Sequence, residues 1–136
     1  LKMGETIHIP SCCYEIEEYI HGPNLQLTPQ YNVIFFDGND GASRRVEQVY
    51  KATRKVTNRA YLISNNPQLS SDDHVLSLSD TVSSELSPLV YLPFVQLLSF
   101  IVSNDLHSIY QHPLLKEFKA IAAAKTENFV NYDGDD

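Results

Sequence analysis

Cysteine is scarce in this chain of 136 residues, and its placement argues against a disulfide. The two cysteines, Cys12 and Cys13, are adjacent, and neighbouring cysteines rarely have the geometry to bridge each other. Free thiols persist in reducing compartments, so we expect a cytoplasmic protein. The histidines show no paired ligand spacing, and the cysteine pair is not a C-x-x-C motif, so no metal site is predicted. The scattered histidines are His8, His21, His74, His107 and His112.

The chain also has few positively charged residues. Ten Lys and Arg residues face seventeen Asp and Glu residues, which gives a net charge of -7. Nucleic acids and anionic membranes both require a basic surface, so neither is an expected partner, whereas a small anionic ligand needs only local donors. No apolar run approaches the roughly 18 residues of a membrane span. The longest, residues 88–102, contains two prolines, and we interpret it as a buried helix.

The sequence lacks the glycine-rich phosphate-binding motifs. Neither G-x-x-x-x-G-K-[ST] nor G-x-G-x-x-G occurs. The segment DGNDGAS (37–43) follows an apolar run and precedes a helical pattern. Its backbone N–H groups could face an anion, but an ordinary strand-to-helix turn is favoured. Asp37 could be read as a phosphoacceptor at a strand end, but the further acidic pair and lysine of that chemistry are missing.

What is present is an alternation of apolar strands and helices. Fully apolar runs alternating with an amphipathic helix are typical of an α/β domain with a parallel sheet, whose ligands bind at the carboxyl ends of the strands. Nearer the N-terminus, we expect a helix end at 1–4 stopped by Gly4, an extended segment at 6–9, and a helix beginning at Pro10. The other predicted elements are strands at 31–38, 59–65 and 74–79, helices at 42–56 and 88–104, and a weak helix at 114–124.

Two ionisable residues near the N-terminus suit proton transfer. His21 precedes Gly22 and Pro23, which end a helix, and a histidine exchanges protons readily near neutral pH. Glu5 could act as a base if its pocket were partly dry. Either residue alone is more often an ordinary surface residue.

The spacing of these residues resembles the sugar isomerase (SIS) domain family. That family shows Leu-Lys-x-x-Glu and, sixteen residues later, the His of His-Gly-Pro. In LKMGETIHIPSCCYEIEEYIHGP (1–23), Lys2, Glu5, Glu18 and 21–23 fall in register. Residues 88–105 look like the family's last helix, so the resemblance covers nearly the whole chain.

The resemblance implies a fold and a set of roles. The fold is a three-layer αβα sandwich with a parallel sheet (SIS, flavodoxin-like), truncated at its N-terminal side. Residues 1–136 would be the C-terminal part of one SIS domain, with 106–136 as its tail; the family's Ser/Thr-rich phosphate loop would lie upstream. Lysines 116, 119 and 125 compete for a family role in the tail, and AAAKTENF (122–129) resembles the ending of the deglycase branch, which favours Lys125. The implied catalytic residues are Glu5, His21 and Lys125, and the implied substrate-binding residues are Lys2 and Glu18.

The resemblance also implies a reaction. Glu5 would move a proton between C1 and C2 of a ketose or amino-sugar 6-phosphate, and His21 would assist ring opening and proton transfer at the sugar oxygens. No cofactor is implied, and the expected partner is another SIS domain or subunit in a homo-oligomer. The alternatives are a non-catalytic SIS module that senses a sugar phosphate and a plain α/β scaffold. The sequence does not identify the sugar.

Overall fold

The computed structural model describes residues 2–79, 82–106 and 121. The chain divides into two compact units, residues 11–98 and residues 1–10 with 99–136. The tail lysines Lys116, Lys119 and Lys125 lie outside the described residues, and so does the weak helix predicted at 114–124, apart from residue 121.

The elements of the described residues follow the predicted alternation. The strands are β1 (Val33–Phe36), β2 (Ala60–Ser64) and β3 (Val75–Ser77). The helices are α1 (Lys2–Ile7), α2 (Ile16–Ile20), α3 (Ser43–Thr53) and α4 (Ser87–Asp105), with 3-10 turns at Pro23–Gln26, Pro67–Leu69 and Ser84–Leu86.

The three strands form a parallel sheet in the order β1-β2-β3. Phe35 of β1 pairs with Leu62 of β2, and Leu62 pairs with Val75 of β3. Parallel strands need crossover connections, and α3 supplies the one between β1 and β2. The predicted parallel α/β fold is confirmed.

One face of the sheet carries the core of residues 11–98. Helix α3 buries Val46, Val49 and Tyr50 against Phe35 and Leu62. Each such side chain contributes about 1.5–3 kcal/mol when fully buried. The helix ends at Thr53, three residues before the predicted end, and Val56 is exposed rather than part of the apolar face.

The other face of the sheet is covered in part by α4. Tyr91 and Phe94 pack on Phe36, with ring centroids 5.4 Å and 6.2 Å away. The Tyr91 hydroxyl also donates a hydrogen bond to the Asp37 carbonyl oxygen. Helices therefore lie on both faces, and residues 11–98 have the predicted three-layer αβα arrangement.

The prediction that the 88–104 helix is buried is wrong. The buried residues of α4 are Ser99 and Ser103, whereas Leu89 is 67% exposed and Phe100 is 65% exposed. A helix that is apolar all round has no polar side to turn outward, so covering one side leaves apolar residues on the other. The expectation that no apolar run approaches a membrane span is also wrong, because by length and composition alone Ser84–Asp105 could cross a membrane.

The N-terminal predictions also need correction. Gly4 lies inside α1 rather than ending it, and the segment predicted to be extended at 6–9 begins as helix. The helix ends before His8, whose φ of 60° is left-handed and cannot continue it. Within the unit formed by residues 1–10 and 99–136, the Ser99 hydroxyl lies 3.2 Å from the Met3 sulfur.

Helix α2 is shorter than the predicted helix from Pro10. It begins at Ile16, because the Glu15 side chain accepts hydrogen bonds from the backbone N–H groups of Glu17 and Glu18. The Glu18 side chain accepts in turn from the Glu15 N–H at 3.4 Å. This reciprocal capping box fixes the first turn at that point.

Candidate functional site

A buried carboxylate lies at the carboxyl end of the sheet. Asp37 follows β1 and is 6% exposed. Its Oδ1 accepts hydrogen bonds from the Asn39 N–H at 3.0 Å and the Ser43 hydroxyl at 2.5 Å, and its Oδ2 accepts from the Ser64 hydroxyl at 2.8 Å. Three donors compensate the loss of water around this group. Asp37 therefore ties the ends of β1 and β2 to the start of α3.

The loop 37–43 is an ordinary strand-to-helix turn, as favoured from the sequence. Its Asn39 and Ala42 N–H groups donate to the Asp37 and Asp40 carboxylates, and the Asp40 N–H donates to Ser43. Donors already bound to the protein's own acceptors are not offered to an external anion. The phosphoacceptor reading is likewise disfavoured, because both Asp37 oxygens are buried in hydrogen bonds.

A second polar cluster precedes β3. The Tyr50 hydroxyl donates to Asp72 at 2.8 Å, and the His74 N–H donates to the same carboxylate at 2.9 Å. Burial raises the pKa of Tyr50 far above its ordinary value, and the bond to Asp72 adds to the effect. The His74 N–H, helped by the Tyr50 hydroxyl, lowers the pKa of Asp72. The cluster lies at the amino end of β3, away from the edge where parallel sheets bind ligands.

His21 stands at the end of α2. Its N–H donates to the Glu18 carbonyl at 3.2 Å, and Gly22 and Pro23 then lead into the 3-10 turn. The histidine is exposed, and so is Glu18, whose side chain belongs to the capping box. The sequence prediction of a histidine at a helix stop is confirmed.

Lys2, Glu5 and Lys125, the remaining predicted site residues, lie outside the unit that holds His21 and Glu18. Lys2 begins α1 and Glu5 is an exposed residue of the same helix, which belongs to the unit that contains residues 1–10. Lys125 lies outside the described residues. The grouping of Glu5, His21 and Lys125 into one site stays a prediction.

Metal ligands do not gather in the described part of the chain. Across residues 2–79 and 82–106, no three His, Cys, Asp or Glu side chains lie close enough to hold an ion together. Cys12 and Cys13 are free and exposed.

A cavity of about 340 Å³, open to solvent along Gln48, Ala52 and Val56, lies between α3 and the segment formed by α2 and the 3-10 turn Pro23–Gln26. Two of its lining side chains carry a buried polar atom without a hydrogen-bond partner, the Tyr19 hydroxyl and the Asn24 Oδ1. The sequence gives no signal for this cavity, because its walls come from segments about twenty residues apart. The lining residues are Tyr19, Ile20, Asn24, Leu27, Arg45, Gln48, Val49, Ala52, Thr53 and Val56.

Comparison with known proteins supports the fold through structure rather than sequence. No family model matches the chain, and no curated protein matches it in sequence. A crystal structure from Clostridium difficile 630, of a protein named "putative phosphosugar isomerase", matches with a TM-score of 0.77 and 21% identity. The match covers 93% of this chain and 35% of that protein. The chain therefore has the fold of about a third of that protein.

Proposed function

We propose that this chain is a phosphosugar isomerase-type domain of the SIS kind, acting on a ketose or amino-sugar 6-phosphate. The observation that carries the proposal is the fold shared over 93% of the chain with the Clostridium difficile protein. The N-terminal motif supports it independently, since Glu5 and the His-Gly-Pro at 21–23 have the family spacing. The proposal covers isomerisation with or without loss of an amine.

The chemistry assigned to the residues is a proton relay. The C–H next to a sugar carbonyl is weakly acidic, so a carboxylate must be held at one face of the carbon. Glu5 takes this proton and returns it to the neighbouring carbon, through an enediol or enediolamine. His21 passes a proton between the sugar oxygens, and Lys125 serves the same site from the tail. Lys2 and Glu18 bind the substrate.

Deuterium exchange tests this proposal directly. The longest natural polypeptide that contains these 136 residues is incubated in heavy water with a panel of ketose and amino-sugar 6-phosphates. NMR should show deuterium at C1 or C2 of one substrate. Glu5→Gln should abolish the exchange and leave binding intact, whereas Glu85→Gln, at an exposed carboxylate outside the proposed site, should change neither.

The outcomes separate the two functional hypotheses. Exchange that survives Glu5→Gln would remove Glu5 as the base. Saturable binding of a sugar phosphate without any exchange would favour the non-catalytic sensor. Neither exchange nor binding would leave only the shared α/β fold.

We further propose a second SIS unit as the protein partner, in a reducing cytoplasm. Exposed apolar patches on soluble proteins mark interaction surfaces. Helix α4 carries such a patch on the side away from Tyr91 and Phe94, and we call it the α4 stripe. Its members are Leu89, Leu92 and Leu97.

A further inference from the structure

Arg54 and His74 are in contact at the amino end of β3. The Arg54 Nη1 lies 3.1 Å from the His74 Nδ1. An arginine side chain stays protonated and can only donate hydrogen bonds, so Nδ1 must be the acceptor and the proton of the neutral ring is on Nε2. We propose, independently of the proposed function, that this contact is a proton-sensitive device. It holds β3 against the rest of the sheet while His74 is neutral, and it releases β3 when His74 is protonated.

Strand β3 is short, and His74 connects it to its neighbours. The strand spans Val75–Ser77 and lies at an edge of the sheet, next to β2. The His74 carbonyl oxygen accepts a hydrogen bond from the Leu62 N–H of β2 at 3.0 Å. The His74 ring stacks on Tyr61 of the same strand, with ring centroids 5.2 Å apart. Arg54 is the residue that caps the end of α3, so His74 joins β3 to both β2 and α3.

Protonation of His74 would turn this attraction into repulsion. A proton on Nδ1 removes the acceptor and places two cationic N–H groups against each other across the same 3.1 Å. Both side chains are partly buried, so water and salt screen the repulsion only in part. Histidine is the side chain that ordinarily changes charge between about pH 5 and pH 8. Acidification across that range should therefore weaken the attachment of β3.

The other titratable groups around the ring do not supply a substitute for the guanidinium. Asp72 opposes the effect, because its carboxylate attracts a protonated ring. This carboxylate already accepts the Tyr50 hydroxyl at 2.8 Å and the His74 backbone N–H at 2.9 Å. Asp73 is exposed, so solvent screens its charge. Tyrosines are uncharged over this pH range, which applies to Tyr50 and Tyr61. The direct bond from Nη1 therefore decides that the contact favours the neutral ring.

The position of the ring proton tests the first step. Long-range ¹H–¹⁵N correlation spectra of the full chain at about pH 8 should show the His74 proton on Nε2 and none on Nδ1. A proton on Nδ1 at this pH would overturn the proposal, because Arg54 could not then donate to that atom.

Amide hydrogen exchange tests the attachment of β3. The Leu62 N–H should lose about tenfold in protection between about pH 8 and about pH 5, after correction for the intrinsic effect of pH on exchange. The internal control is the Asp37 N–H, which donates to the Ile63 carbonyl between β1 and β2 and should keep its protection. Unchanged protection at Leu62, or an equal loss at both amides, would overturn the proposal.

Two variants and a matched control assign the effect to the contact itself. His74→Asn keeps an acceptor near the Nδ1 position but does not titrate, so its Leu62 protection should be independent of pH. Arg54→Met removes the donor, so Leu62 should already be about tenfold less protected at about pH 8, with no further loss on acidification. Lys55→Met, at the exposed neighbouring residue, should behave like the wild type. A pH dependence that persists in His74→Asn would show that another group is responsible and overturn the proposal.

Discussion

Two tyrosines of the same core differ in what their hydroxyls do, and this difference predicts opposite effects of one substitution. Tyr50 donates to Asp72 at 2.8 Å, whereas the buried Tyr19 hydroxyl has no partner. Tyr50→Phe should lower the free energy of unfolding by about 1.5–3 kcal/mol, because a hydrogen bond to a charged group is lost. Tyr19→Phe should leave it unchanged or raise it, since an unsatisfied polar atom disappears.

Urea denaturation of the two variants measures both values on one scale. Each substitution keeps the aromatic ring, and the rings of Tyr19 and Tyr50 both pack edge-on against Phe35 at 6.0 Å. The packing contribution is therefore matched. A loss for Tyr19→Phe as large as that for Tyr50→Phe would contradict the assignment of its hydroxyl as unpaired.

The Asp72 carboxylate predicts a pH dependence of stability. Its pKa is lowered from the ordinary 3.8, chiefly by the His74 N–H and then by the Tyr50 hydroxyl. A group whose folded-state pKa is depressed adds stability above its unfolded pKa and loses it as the pH falls through the folded value. Wild type should therefore exceed Asp72→Asn in unfolding free energy at about pH 6, and the gap should narrow below about pH 4.

Urea denaturation at several pH values measures this difference in unfolding free energy between the two proteins. The other acidic groups are common to both proteins, so their contributions cancel in the difference. Tyr50→Phe should reduce the pH dependence in part, since it removes one of the two main bonds to Asp72. A gap between wild type and Asp72→Asn that stays constant down to about pH 3 would show that Asp72 does not titrate abnormally.

At the scale of elements, the capping box of α2 is the feature most open to test. Glu15→Ala removes the acceptor of the Glu17 and Glu18 N–H groups, which lie 3.0 Å and 3.2 Å from its carboxylate. Loss of an N-cap should lower the free energy of unfolding by about 0.5–2 kcal/mol. Amide exchange at residues 17 and 18 should accelerate, whereas Asp73→Ala, at an exposed carboxylate outside any helix, should affect neither quantity. Unchanged protection in Glu15→Ala would show that the cap is not what begins α2.

The same cap shows why some elements could be predicted from sequence and others could not. Hydrophobic periodicity is a local signal, so β1, α3, β2, β3 and α4 were all predicted at the right places. The start of α2 depends on side-chain bonds to individual backbone N–H groups, which periodicity does not report. The burial of α4 was predicted wrongly. The sequence pattern shows that the surface of a helix is apolar, but it does not show whether another element packs on that surface.

The site shows the same limit at the scale of the whole molecule. The sequence predicted His21 at a helix end and Asp37 at a strand end, because Gly, Pro and Asp are local signals of turns and of the ends of elements. It could not show that Ser43 and Ser64 would occupy both Asp37 oxygens, because those contacts depend on the register between β1 and β2. The cavity lined by Tyr19 and Asn24 was equally hidden, since packing alone brings its walls together.

The α4 stripe predicts association of the chain with a second copy. Leu92 and Leu97 are 50% and 59% exposed, and burying such side chains contributes about 25 cal/mol per Å². Sedimentation velocity of the wild type should show oligomers whose fraction rises with concentration. The double variant Leu92→Glu/Leu97→Glu should be monomeric, because glutamate is a good helix former but resists burial.

The matched control is Leu25→Glu, at a residue that is 86% exposed on the 3-10 turn and lies outside the stripe. It adds the same kind of charge and should leave the association unchanged. Flotation with neutral lipid vesicles separates a protein partner from a membrane, because Ser84–Asp105 is long and apolar enough to enter one. A wild type that stays monomeric in solution but floats with vesicles, and loses flotation in the double variant, would contradict the second copy and assign the stripe to lipid.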